Sequence, residues 1–285
     1  MTNTLDRPNR GIIEITSRCN MACLHCFANK NTKELDWKEW VGIINKLIDA
    51  KVQSISITGG EPLLYPWLFD LMEAVDYKDC KITIDTNASL INEDNVKLFK
   101  KYFKLIRISI VGWGDDQQKN SRNIKFTYNE LLSKLKLVTS YKMPLQVNIP
   151  MFNNTVEKFE QYIDEIINLS PHEIVLIPII LTGKANKLTG KDLPTNKKIE
   201  LLFEKYFNKY GSMFRLFKWA EGKHFVIRSQ GDTYLHPFFD TPNNELYLGN
   251  IKDNSLDNLW NKVDMKYKIA NRDLTPDISD LPCAV

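Results

Sequence analysis

Along residues 11–210, short β-rich runs alternate with amphipathic helical runs, and this alternation limits the fold more than any other feature. Residues 11–16 (GIIEIT), 54–58 (SISIT), 81–85 (KITID), 105–111, 145–150 and 173–180 read as strands. Between them lie helical patterns over 36–50, 92–102, 127–141 and 154–169, with a further one over 194–210 and a helix beginning near Pro66. The first helix carries Trp37, Trp40, Ile43, Ile44, Leu47 and Ile48 on one face. Asp36 with Glu39, and Thr127 with Glu130, have capping-box spacing. Six β–α units in series predict a parallel sheet with right-handed crossovers. Periodicity alone fits either a doubly wound sheet or an incomplete β/α barrel. From residue 214 onward the pattern changes to short strands, turns and a short helix near 255–263. A core domain over 1–210 and a small α+β extension over 211–285 are therefore expected.

Charge excludes little. There are 38 basic and 35 acidic residues, well mixed, and the net charge is +3. A nucleic-acid partner is not expected from such a balance, since phosphate-tracking proteins carry a basic stripe and a larger excess. No apolar run approaches the ~20 residues that span a bilayer, so no membrane association is expected. The opening MTNTLDRPNR leads into no apolar segment, so a signal peptide is not expected and the cytoplasm is the expected location.

Cysteine placement says far more. Cys19, Cys23 and Cys26 fall in a CxxxCxxC pattern directly after the first strand, while Cys80 and Cys283 stand apart. In a reducing compartment such a cluster points to metal or catalytic chemistry rather than a disulfide framework. A structural zinc site wants four protein ligands, and so does a fully protein-ligated [4Fe–4S] cluster. Three thiolates leave one metal position open, which suits reaction rather than scaffolding. The loop beyond the C-terminal end of a parallel strand is also where α/β proteins place their sites.

With Gly59-Gly60-Glu61-Pro62 after the second strand, the chain resembles the radical S-adenosylmethionine (SAM) superfamily over about residues 10–190. The resemblance implies an incomplete (β/α)6 barrel of parallel strands. It implies that Cys19, Cys23 and Cys26 hold one [4Fe–4S] cluster, whose fourth iron is chelated by SAM. Reductive cleavage of SAM to a 5′-deoxyadenosyl radical, which abstracts hydrogen from substrate, is the implied reaction. His25 takes the usually aromatic position near the adenine. Gly59, Gly60 and Glu61 match the segment that receives the methionine amino group: glycines admit close backbone approach, and a carboxylate complements an ammonium. Thr86-Asn87-Ala88 resembles a TNG-like segment with Ala88 replacing the glycine. Ser109 and Asn148 match strand positions used near the ribose or carboxylate.

The extension resembles the SPASM type through Gly231 to Pro237, Leu248-Gly249-Asn250-Ile251 and Leu259-Trp260. Phe238 stands where that family has a cysteine, and only Cys283 follows, so an extension without an auxiliary cluster is expected. The resemblance implies modification of a ribosomally made peptide, by epimerisation or crosslinking. The alternatives are a sugar, nucleoside or antibiotic precursor as substrate, or a non-catalytic iron–sulfur or zinc module in which His25 completes a zinc knuckle. An external electron donor such as flavodoxin or ferredoxin is implied, and a separate peptide-recognition protein is a possible partner. Cys283 is the candidate hydrogen-atom donor, Cys80 an inert thiol, and His236 a candidate cleft residue. The aromatic run Phe214, Phe217 and Trp219 reads as core of the extension.

Overall fold

The computed structural model describes residues 6–28, 33–77, 80–115, 125–217, 224–235 and 246–263. Its elements in chain order are β1 (Arg10–Thr16), α1 (Trp37–Asp49), β2 (Ser54–Gly59), α2 (Leu68–Ala74), β3 (Lys81–Thr86), α3 (Glu93–Tyr102) and β4 (Leu105–Ser109). There follow α4 (Tyr128–Ser140), β5 (Leu145–Met151), α5 (Asn153–Glu157), α6 (Phe159–Ile167), β6 (Glu173–Pro178) and α7 (Asn196–Tyr210). The chain continues with β7 (Phe214–Leu216), β8 (His224–Ile227), β9 (Asp232–Tyr234), β10 (Tyr247–Asn250) and α8 (Leu256–Asn261). The alternation expected from sequence is present, and the fold is α/β with parallel strands.

Contacts divide the chain into two compact units. One, among the described residues, comprises 6–19, 28, 33–77, 80–85, 224–235 and 246–263 and carries β1–β3 with β8–β10. Here β1 pairs in parallel with β2, and β2 with β3. Ile13, Ile55, Ile57 and Ile84 are fully buried on one face. The alternate positions are polar: Glu14 pairs opposite Thr58, and Ser56 donates to Asp85 at 2.8 Å. A parallel sheet covered on both faces reads as continuous apolar runs. Alternation of isoleucine with serine, threonine and acid instead gives one helix-covered face and one able to meet a polar ligand.

Capping explains the helix ends. Asp36 and Glu39 form a capping box at α1, and Thr127 and Glu130 one at α4, as their spacing predicted. Trp40, Ile43, Ile44, Leu47 and Ile48 form the buried face of α1, whereas Trp37 is half-buried. In the same unit β8 joins the free edge of β1 in parallel, with Ile13 opposite Ile227. β9 and β10 add antiparallel, and α8 packs Trp260 edge-on to Phe225 at 5.4 Å.

The second unit, among the described residues, comprises 20–27, 86–115 and 125–217 and carries β4–β7 in parallel order. Two expectations are corrected here. The single helix expected over 154–169 is two, α5 and α6, broken at Lys158 (φ −102°, ψ 6°). The turn re-aims the chain so that Phe159, Tyr162, Ile163 and Ile166 share one buried face. Phe214 is not core of the extension: it starts β7, pairs opposite Ile174 and stacks on Tyr206 at 5.2 Å. Trp219 lies outside the described residues.

Candidate functional site

β1 ends at Thr16, and the cysteine loop begins at once. The β1–β2 register shifts between Glu14 and Thr16, bringing Thr16 opposite Gly59. Gly60 N–H donates to the Thr16 carbonyl and Glu61 N–H to the Arg18 carbonyl, both at 2.8 Å. A Cβ on Gly60 would lie 2.0 Å from the Arg18 oxygen. The glycine is therefore demanded by contact between two backbones, the Gly59-Gly60 turn and the first residues of the cysteine loop. Glu61 is fully buried, and its Oε1 accepts from Leu63 N–H at 3.2 Å, capping the short 3-10 turn Pro62–Leu64.

Glu34, which no sequence motif singled out, closes the base of this loop. Its carboxylate accepts from Thr16 Oγ1 and, at 3.3 Å, from Ser17 N–H. It also accepts from Arg18 Nε at 3.1 Å and Arg18 Nη2 at 2.9 Å, a two-pronged ion pair. Burial pushes the Glu34 carboxyl up, but the Arg18 and Thr16 donors outweigh it and hold the group below its ordinary value. The residues just before Cys19 are thus fixed on two sides, by backbone donors from Gly60 and Glu61 and by the Glu34 side chain.

In the second unit, Asn20 of the cysteine loop donates to Ser89 Oγ at 2.8 Å and accepts from Asn87 Nδ2 at 2.9 Å. Asn87 Oδ1 in turn accepts from Ser89 N–H at 2.9 Å and Oγ at 2.6 Å. Thr86 is buried and accepts from Ala88 N–H at 3.1 Å. Ala88, standing where the family has glycine, adopts φ +70° with no solvent exposure. The backbone conformation is thus the one glycine favours, although this chain lacks the glycine. Cys26 N–H donates to the Cys23 carbonyl at 3.3 Å, and the Cys26 carbonyl accepts from Lys184 N–H at 3.1 Å. Gly183 lets that strut approach: a Cβ there would lie 2.9 Å from the Cys26 oxygen, at φ +57°. The His25 ring meets Phe152 edge-on at 5.7 Å.

Ser109, the last residue of β4, is the direct cross-strand neighbour of Asn148, which lies midway along β5. Cys19, Cys23 and Cys26 are all partly exposed, whereas Cys80 is buried and its thiol is pushed up to about 11 by desolvation. A buried thiol with its pKa so raised carries little thiolate at neutral pH. His236 and Cys283 lie outside the described residues. Among the described residues, no three His, Cys, Asp or Glu side chains gather as they would around one metal ion. A cubane cluster asks for a different arrangement, because each thiolate binds its own iron. Partly exposed cysteine thiols are the donor type such a cluster takes.

Residues 13–166 match the family model described as Radical SAM superfamily. The chain belongs to the radical SAM superfamily. Residues 219–283 match a second model, SPASM, described as an iron–sulfur cluster-binding domain. By membership the protein is a radical SAM enzyme. It is 30% identical over 265 residues to the uncharacterized protein MJ0907 of Methanocaldococcus jannaschii, covering 85% of this chain and 88% of that protein. It is 23% identical over 160 residues to the antilisterial bacteriocin subtilosin biosynthesis protein AlbA of Bacillus subtilis, covering 54% of this chain but 36% of AlbA. Among solved structures it resembles Streptococcus suis SuiB bound to precursor peptide SuiA. The TM-score is 0.77 at 19% identity, covering 93% of this chain and 67% of SuiB, and the likeness shows the shared fold. No helix among the described residues is long and apolar enough to cross a membrane.

Proposed function

We propose that this protein binds one [4Fe–4S] cluster through Cys19, Cys23 and Cys26 and reductively cleaves SAM to modify a peptide. The observation that carries the reading is the bracing of the three-cysteine loop by the Gly59-Gly60-Glu61 backbone and by Glu34. When bound, the cluster and SAM supply a 5′-deoxyadenosyl radical that takes hydrogen from substrate. The chain's own part is to hold and orient. Gly59, Gly60 and Glu61 would receive the methionine amino group. His25 would line the adenine side, and Thr86, Asn87, Ser109 and Asn148 would bind the rest of SAM.

The SPASM match and the named precursor peptide of SuiB support a peptide as substrate. We divide the chain into a catalytic core over 1–210 and a substrate-selecting extension over 211–285, whose first strand, β7, is paired to β6 of the core. Phe238, where a cluster cysteine is usual, supports a single cluster and so a redox-neutral outcome such as epimerisation. An external flavodoxin or ferredoxin would supply the electron, and a separate chain would recognise a leader peptide. A reducing cytoplasm suits the three thiols.

The test is 5′-deoxyadenosine release by anaerobically reconstituted protein given SAM, reductant and candidate peptides, with Cys26→Ala alongside. Release by wild type alone, with about four irons per chain, is the expected result. About eight irons would overturn the single-cluster reading, and release by Cys26→Ala would overturn the ligand assignment.

A further inference from the structure

Along β4 and β5 runs a chain of side chains whose polarity is forced. Arg107 Nε donates to Gln146 Oε1 at 3.3 Å, and Gln146 Nε2 donates to Asn148 Oδ1 at 2.7 Å. A guanidinium has donors only, so it dictates that the amide oxygen of Gln146 turns toward it. Gln146 is 6% exposed, which leaves its amide little room to exchange partners with water. Its NH2 must then face Asn148, and the Asn148 oxygen is turned toward it as acceptor. Asn148 is partly exposed midway along β5, opposite Ser109, the last residue of β4, and so beside the C-terminal strand end where α/β folds place ligands. The end of the Asn148 amide turned away from Gln146 is its NH2.

We propose that Arg107 and Gln146 are positioning residues that lock Asn148 as a hydrogen-bond donor to an oxygen acceptor of bound SAM. This rests on the SAM-binding reading above. The acceptor is the methionine carboxylate or a ribose oxygen, which share the chemistry of a donor-seeking oxygen. The same lock disfavours an ammonium at Asn148, since a donor facing a donor leaves both unsatisfied. Without it the asparagine amide could turn over and accept from an ammonium equally well. The relay therefore helps decide which way round the amino-acid end of the ligand lies.

Gln146→Glu tests the lock with little change of shape. Glutamate keeps an oxygen toward Arg107 but offers a second acceptor to Asn148, whose amide must turn and present its oxygen instead. SAM dissociation constants are measured on anaerobically reconstituted wild type, Gln146→Glu, Asn148→Ala and the double variant, with thermal melts to confirm folding. Gln146→Glu and Asn148→Ala should each weaken SAM binding about tenfold, the effect of one hydrogen bond to a charged or polar oxygen. The double variant should bind no worse than Asn148→Ala alone, because Gln146 acts only through Asn148. A purely structural Gln146 would give additive losses, and that result overturns the proposal. So does wild-type affinity in Gln146→Glu.

If Gln146→Glu does not fold, Asn148→Asp decides the matter at a more exposed position. It presents only acceptors and should bind SAM worse than Asn148→Ala, whereas binding as tight as wild type overturns the lock. Methylthioadenosine, which has the ribose but no carboxylate, separates the two acceptors. Sensitivity to Gln146→Glu that persists with it assigns the ribose, and sensitivity that disappears assigns the carboxylate. Wild-type protein that binds no SAM at all would overturn the SAM reading and the relay with it. An unresponsive Gln146→Glu overturns the relay alone.

Discussion

Arg228, just beyond β8, donates to Glu14 in the middle of β1, and both side chains are nearly sealed from solvent, at 5% and 8% exposure. The pair ties a residue of the C-terminal segment to the first strand of the chain. Removing one partner of a buried pair takes this counter-ion from the other charge, at a cost of about 3–5 kcal/mol. Arg228→Met alone should lose stability on that scale in urea unfolding. Adding Glu14→Gln should restore much of it, because the uncompensated charge is then gone. A single variant as stable as wild type would show that the pair contributes nothing.

Glu34 gives a pH signature. Its native value lies below its ordinary one, so the latch is complete above the unfolded glutamate value near 4.3. It is lost as pH falls through the lower native value. Stability of wild type should therefore fall more steeply than that of Glu34→Gln below about pH 4.5. At neutral pH Glu34→Gln should cost about 1 kcal/mol, since Arg18 is half-exposed and the pair is partly screened. Parallel pH curves for the two proteins would remove the latch from the account.

Gly183 should matter to iron. Gly183→Ala drives a Cβ against the Cys26 carbonyl and Phe27 backbone at a left-handed φ, so the Cys26 segment must shift. Bound iron per chain after anaerobic reconstitution and desalting should fall well below that of wild type, with far-UV circular dichroism unchanged. Gly211→Ala is the control: Gly211 also has positive φ, but a Cβ there meets nothing within 4 Å. It should keep its iron.

Ala88 tests the left-handed turn after β3. Ala88→Val adds a β-branch at φ +70° in a sealed position and should cost about 2 kcal/mol or more. Ala88→Gly relieves strain but loses a buried methyl, worth about 0.8 kcal/mol, so it should melt within a few degrees of wild type. Equal melting of all three proteins would mean that the turn relaxes to another conformation.

Much of this molecule was legible in short stretches of sequence. The strand at GIIEIT, the capping boxes at Asp36 and Thr127, the CxxxCxxC loop and the Gly59-Gly60-Glu61 segment each depend on residues close in the chain. Local spacing sets helix phase and cap geometry, so such features can be read without a partner in view. The helix break at Lys158 was not legible, because the apolar positions run on across it and only packing of Phe159 and Tyr162 shows the change of direction.

What tertiary structure alone decided are the partners chosen across long separations. Glu34 looks like one more surface glutamate until loop closure brings it back to Thr16 and Arg18. Gly183 looks like an ordinary turn residue until it is found against Cys26. Gln146 becomes a relay only because the β4–β5 register sets Arg107 opposite it and Ser109 opposite Asn148. β8 finds β1, and Arg228 finds Glu14, through strand pairing that no local pattern encodes. Hydrogen bonds and buried charges are satisfied by whatever group the register and loop closure deliver. The sequence by itself determined the elements and the spacing of the cysteines, and the fold determined which side chains brace the chain around them.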